Sequence, residues 1–171
     1  MSVLIAIPAR YASTRYPGKP LVALTGATGL AKTLIQRSWE AASAVKGADR
    51  VVVATDDDRI RTHAQSFGAE VVMTSVACQN GTERCAEAAE KLGGGFEMVV
   101  NLQGDEPLMP PECLDQVAQG IAWAQTEMAT LACRFDHVEQ LSDPNCVKVV
   151  TSLTNRALYF SRAAIPFNRD Q

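Results

Sequence analysis

The chain has 171 residues, 47% of them apolar and 20% charged, with a formal net charge of −3. That length suits one domain, residues 1–171, with a buried core, and that charge gives no long-range attraction to nucleic acid or to an anionic membrane. The five cysteines (Cys78, Cys85, Cys113, Cys133, Cys146) are odd in number and scattered, with no C-x-x-C among them, which argues against zinc and against a disulfide framework and fits a reducing cytoplasm.

The first apolar run, Val3 to Ile7, reads as a buried strand. It stops at Pro8 and Arg10, too short for a signal-peptide core, and no later segment approaches a membrane span. The loop that follows carries Arg10, Ser13, Arg15, Gly18 and Lys19. Three cations with few acids nearby ask for a polyanion such as a triphosphate; the plainer alternative is a solvated basic loop. Ala31 to Val45 has helical spacing through Leu34, Ile35, Trp39, Ala42 and Val45. Arg50 to Thr55 is a continuous apolar run of the kind found in central parallel strands. Asp57 to Phe67 reads as a helix closed by Gly68, and Glu70 to Thr74 as the next strand. Thr82 to Leu92 is a helix ended by three glycines, Phe96 to Leu102 a strand, and Pro110 to Ala124 a helix with its prolines in the first turn. Glu127 to Cys133, Val147 to Leu153 and Leu158 to Ser161 are rich in strand formers.

Strands alternating with helices predict an α/β fold, a single mostly parallel sheet with helices on both faces. In such a sheet the loops after successive strands share one edge. Arg10, Ser13, Arg15 and Lys19 follow the first strand, Asp56 and Asp57 the second, Gln79 to Thr82 the third, and Gln103 to Pro107 the fourth. Asp105 at a strand end, facing a cationic loop, is the expected holder of Mg²⁺, which takes one or two carboxylates with phosphate oxygens and water. Asp105-Glu106-Pro107 also has the composition of a plain turn. Thr82 fits either a nucleotide contact or a helix N-cap, and Asp56 either a ligand contact or, better, an acidic first helical turn. Cys78 and Cys85 read as packing residues rather than nucleophiles. No G-x-G-x-x-G follows a strand and no G-x-x-x-x-G-K-[ST] occurs, which removes the dinucleotide dehydrogenase and P-loop classes.

Seven segments carry a closer likeness: I-P-A-R-Y-A-S-T-R-Y-P-G-K-P-L (7–21), V-A-T-D-D (53–57), Q-N-G-T-E-R (79–84), N-L-Q-G-D-E-P (101–107), M-A-T-L-A (128–132), P-N-C-V-K-V-V (144–150) and Y-F-S-R-A-A-I-P (159–166). In this order they closely resemble the 3-deoxy-manno-octulosonate cytidylyltransferases, or CMP-KDO synthetases. The resemblance implies a nucleotide-diphospho-sugar transferase fold and the transfer of CMP from CTP to 3-deoxy-manno-octulosonate (KDO), with release of pyrophosphate, for lipopolysaccharide or capsule synthesis in the bacterial cytoplasm.

By motif it places Arg10 and Lys19 on the triphosphate, assisted by Ser13 and Arg15. It places Ala9, Gln79, Asn80, Gly81 and Thr82 around the cytosine, Gln103 beside the reacting groups, Asp105 on Mg²⁺ and Arg162 near the sugar acid. Chains of this family continue beyond the position of Gln171 with a further sugar-binding segment, much of a homodimer surface and a second metal-binding aspartate. The expectation is therefore a fragment or a naturally short chain. Two other readings stand beside catalysis on KDO: a non-catalytic CTP-binding module, and a cytidylyltransferase for another 2-keto sugar acid.

Overall fold

The computed structural model describes residues 1–12, 16–167 and 169. The chain divides into two compact units, Met1–Ala129 and Thr130–Gln171.

The first unit is built around β1 (Val3–Ala9), in which every residue is buried. β1 lies between β4 (Arg50–Thr55) and β6 (Met98–Asn101), and β5 (Glu70–Met73) extends the sheet beyond β4, giving the order β5-β4-β1-β6. All three pairings are parallel, with Ile5 opposite Val51 on one side and Val100 on the other. Side chains alternate across the sheet. Val3, Ile5, Ile7 and Ala9 pack with Ile35 and Ala42 of α1 (Leu34–Ser43), Ile60 and Ala64 of α2 (Asp58–Ser66), and Leu114 and Ala118 of α4 (Pro111–Ala124). Leu4 and Ala6 turn to the opposite face and meet Cys85 and Ala88 of α3 (Gly81–Lys91). A strand buried on both faces cannot alternate apolar with polar residues, and V-L-I-A-I does not. Full burial of each large side chain in it is worth about 1.5–3 kcal/mol.

The helices and strands fall close to where the residue pattern puts them, and the β4 boundaries coincide with it. Three differences have local causes. Helix α1 begins at Leu34, not Ala31, because Ala31–Thr33 forms β3, paired antiparallel with β2 (Ala23–Thr25). Thr33 then caps the helix, its hydroxyl accepting from the Gln36 N–H at 3.3 Å. Residues 127–133 form no strand; they are exposed and have no ladder partner, without which strand formers stay extended. The sheet is also not single: in the second unit β7 (Lys148–Thr151) and β8 (Ala157–Ser161) form their own antiparallel hairpin. Buried Lys148 anchors it, with Nζ donating to the carbonyls of Asp143, Cys146 and Arg162 at 2.8 Å each.

Ile5 sits at the centre of the main core. Ile5→Ala is expected to cost about 2–5 kcal/mol, as cavity-forming truncations do. Urea unfolding measures it; a loss below about 0.5 kcal/mol, the size of a surface change, would contradict the burial of β1.

Candidate active site

Strand order sets the position of the cleft. From β1 the chain adds β4 and then β5 on one side, and it returns to the other side for β6. Loops leaving the carboxyl ends of β1 and β6 therefore run apart, and a crevice opens between them. A cleft of about 710 Å³ lies there. Pro8, Ala9 and Arg10 line it from the end of β1, and Gln103, Gly104 and Asp105 from the end of β6. Tyr16, Lys19, Pro20 and Val22 line it from the first loop, with Leu34 at the start of α1.

The first loop closes on itself. The Gly18 N–H donates to the Tyr11 carbonyl at 2.9 Å. Gly18 has φ +69°, and a Cβ there would stand 3.0 Å from the Tyr11 ring, so glycine is required twice over. Closure brings the next residue, Lys19, back over the cleft, where Nζ meets Asp105 Oδ2 at 2.5 Å. Arg10 is exposed at the cleft wall and has no ion-pair partner among the described residues. Ser13 and Arg15, the other candidates in this loop, lie outside the described residues. Tyr11 is braced from α2. The Arg59 guanidinium lies 3.3 Å from its ring centroid and also grips Asp57 with Nε and Nη2 at 3.0 and 2.6 Å. That grip holds the Asp57 carboxyl below the usual range.

Asp105 is positioned by close packing. A Cβ on Gly104 would lie 3.2 Å from both the Pro8 carbonyl oxygen and Ile35 Cδ1, so the β6 loop approaches β1 as only glycine permits. The start of α3 packs against this wall: a Cβ on Gly81 would stand 3.1 Å from Gln103 Nε2 and Pro8 Cγ, and both of those residues line the cleft. Gln103 Nε2 itself donates to Asn101 Oδ1 at 2.7 Å.

Asn80 is the N-cap of α3, its Oδ1 accepting from the Glu83 N–H at 2.9 Å while its amide donates to Glu83 Oε1. The Gln79 N–H donates to Glu83 Oε2 at 2.8 Å, and Gln79 Nε2 to the Ala77 carbonyl. Thr82 is thus not the cap. Helix geometry leaves the N–H groups of Gly81 and Thr82 without intrahelical acceptors, at the positive end of the helix dipole. Arg162 belongs to the second unit, where its Nη1 donates to the Pro144 carbonyl at 2.8 Å.

One charged residue in this region escaped the motif reading. Arg84, in the first turn of α3, is 3% exposed. Its Nη2 pairs with Asp56 Oδ2 at 2.9 Å and its Nη1 donates to Thr74 Oγ1. Asp56 therefore lies outside the first turn of α2, which Asp57 caps, and holds Arg84 instead. The signal was available: a charge beside Cys85 and Ala88 on the apolar side of a helix needs a buried partner. Removing one member of such a pair strands the other and costs about 3–5 kcal/mol.

Cys85 is buried, and burial pushes its thiol up to about 12, which leaves it a packing residue. Hydrogen bonding to Glu87 raises the Cys78 thiol as well.

Glu87 holds the loop after β5. Its carboxylate accepts from Lys91 at 2.7 Å, from Cys78 Sγ at 3.0 Å and from the Ser75 N–H at 2.9 and 3.0 Å. These contacts, Lys91 first, pull its pKa from 4.5 to about 2. A depressed carboxylate stabilises the fold fully above its unfolded value and loses that contribution as pH falls through the folded one. The urea midpoint of the wild type should therefore exceed that of Glu87→Gln at neutral pH, and the gap should close between pH 4.5 and about 2. A gap independent of pH would contradict the assignment.

Comparison with known proteins bears on the family and the fold. Residues 4–171 match the family model described as cytidylyltransferase. The 3-deoxy-manno-octulosonate cytidylyltransferase of Aliivibrio fischeri (strain MJ11) is 52% identical over 171 residues, 99% of this chain and 66% of the relative. That of Pasteurella multocida (strain Pm70) is 52% identical over 98% of this chain and 63% of its own length. Among solved structures, a CMP:2-keto-3-deoxy-manno-octonic acid synthetase complexed with CTP superposes with a TM-score of 0.88 at 37% identity, covering 99% of this chain and 68% of that one. A cytidylyltransferase from Leptospira borgpetersenii gives 0.60 at 30% identity over 73% of this chain and 50% of that one. The chain spans just under two-thirds of the length of the Aliivibrio and Pasteurella enzymes. With a central parallel sheet, a cleft at its switch point and a family match over nearly all of its residues, the chain belongs to the cytidylyltransferase family.

Proposed function

We propose that this chain carries the nucleotide site of an enzyme that transfers CMP from CTP to the anomeric hydroxyl of KDO and releases pyrophosphate. One observation carries the reading furthest: Lys19 and Asp105, 86 positions apart, meet at 2.5 Å across the switch-point cleft. A cation and a carboxylate so placed suit a polyanion that arrives with a divalent metal. The names of the curated relatives and the CTP complex of the structural neighbour supply the substrate classes.

In this reading Arg10 and Lys19 hold the triphosphate, with Ser13 and Arg15 assisting. Ala9 and the first turn of α3, from Gln79 to Thr82, form the nucleoside end. Gln103 lies beside the α-phosphate, and Arg162 serves the sugar acid. The donor set also fits Mg²⁺. Asp105 is the carboxylate among the residues that line the cleft, and one carboxylate suits a hard cation whose other ligands are phosphate oxygens and water. Bound there, Mg²⁺ would supply charge neutralisation on the phosphate oxygens.

The Lys19–Asp105 pair opens when nucleotide enters. Both side chains are nearly half exposed, and an exposed pair is worth about 0–1 kcal/mol. Exchanging it for two stronger charge-assisted contacts is therefore favourable. Lys19 and Arg10 then stabilise the charge that develops on pyrophosphate as it departs. The remaining work is alignment of the sugar hydroxyl with the α-phosphorus.

The family resemblance extends this reading to the bacterial cytoplasm and the making of a precursor of lipopolysaccharide or capsule, and to a homodimer where the chain continues beyond position 171 with the family's dimer surface. Among the described residues no helix is long and apolar enough to cross a membrane.

The test is pyrophosphate release from CTP and KDO with Mg²⁺. Turnover is expected, and Asp105→Ala and Lys19→Ala should each lower it by on the order of 10²–10³. Variants as fast as wild type would refute the assigned roles. CTP binding without turnover would leave a binding module, and faster turnover with a sialic acid would reassign the acceptor.

A further inference from the structure

The ion pair of buried Arg84 with Asp56 lies outside the cleft and touches none of the proposed reacting groups, yet its placement gives it a role. Arg84 is in the first turn of α3 and 3% exposed. Its guanidinium reaches Asp56, the residue after β4, and Thr74, the residue after β5. The Thr74 N–H in turn donates to the Thr55 carbonyl at 2.8 Å. One side chain thus pins the amino end of α3 to the carboxyl ends of two neighbouring strands. That same helix end packs closely on Gln103 and Pro8 of the cleft wall, where a Cβ at Gly81 would stand 3.1 Å from both side chains. A planar fork with several donors fixes direction as well as distance, which a lysine ammonium cannot do.

We propose that Arg84 and Asp56 are positioning residues: through the first turn of α3 they set the nucleoside end of the cleft, and they leave the triphosphate end, held by Arg10 and Lys19 on the loop after β1, untouched. The inference rests on the assignment of that turn to the nucleoside. It predicts a split that general loosening of the fold would not produce. Arg84→Lys keeps the charge and loses the fork. Asp56→Asn keeps the shape and one oxygen acceptor, and serves if the lysine variant folds poorly.

Calorimetry on wild type and both variants, with CTP and with inorganic tripolyphosphate, reads the two ends separately. CTP affinity should fall by on the order of tenfold, the equivalent of one misaligned hydrogen bond, while tripolyphosphate affinity stays unchanged. Equal loss for both ligands, or loss for neither, overturns the proposal and leaves the proposed function standing. A wild type that binds tripolyphosphate but discriminates no nucleoside overturns the nucleoside assignment, and the positioning role with it.

Discussion

The organisation of the cleft depends on β1 having no free side. Both faces lie under helices, and both edges are paired, to β4 and to β6. A parallel sheet that grows outward from such a strand must place later strands on one side and then cross to the other. The crossing is what separates the loop after β1 from the loop after β6. Residues far apart in sequence are thereby brought face to face at a strand edge, and glycine at positions 18 and 104 lets the two loops come within bonding distance.

Two ion pairs of opposite character serve that arrangement. Lys19–Asp105 is exposed, so water competes for both partners and the pair gives way cheaply to a charged ligand. In Arg84–Asp56 the guanidinium is buried and the carboxylate mostly covered, so opening the pair would leave the buried Arg84 charge poorly compensated. In the proposed reaction the first is exchanged on binding and the second holds the wall still while that happens. A site that must accept a triphosphate and still recognise a base needs both kinds of contact.

The strands and helices of the parallel sheet were legible because their burial is written in local pattern. V-L-I-A-I and R-V-V-V-A-T are continuous apolar runs, and Gly68 and the glycines at 93–95 mark helix ends with positive φ. The cleft residues were legible because parallel strands oblige their carboxyl-end loops to share an edge. Other features depend on partners distant in sequence and were not. Residues 127–133 have strand composition, but composition does not supply a neighbour to pair with. Ala31–Thr33 has helical spacing, yet its pairing with Ala23–Thr25 prevails. Asn80 gives no sign in sequence that it caps α3, since its partner Glu83 is seen holding both ends of its amide only in the fold. Arg84 looks like one of the two ordinary charges in Q-N-G-T-E-R, and only the three-dimensional placement of Asp56 and Thr74 reveals it as buried.

The central claim is that one cleft receives the nucleotide by parting Lys19 from Asp105. Its most direct test is a structure of the protein with CTP and Mg²⁺ bound. The triphosphate should contact Arg10 and Lys19, Asp105 should have exchanged the ammonium for the metal, and the cytosine should rest against the first turn of α3. Nucleotide bound elsewhere, with Lys19 still on Asp105, would contradict it.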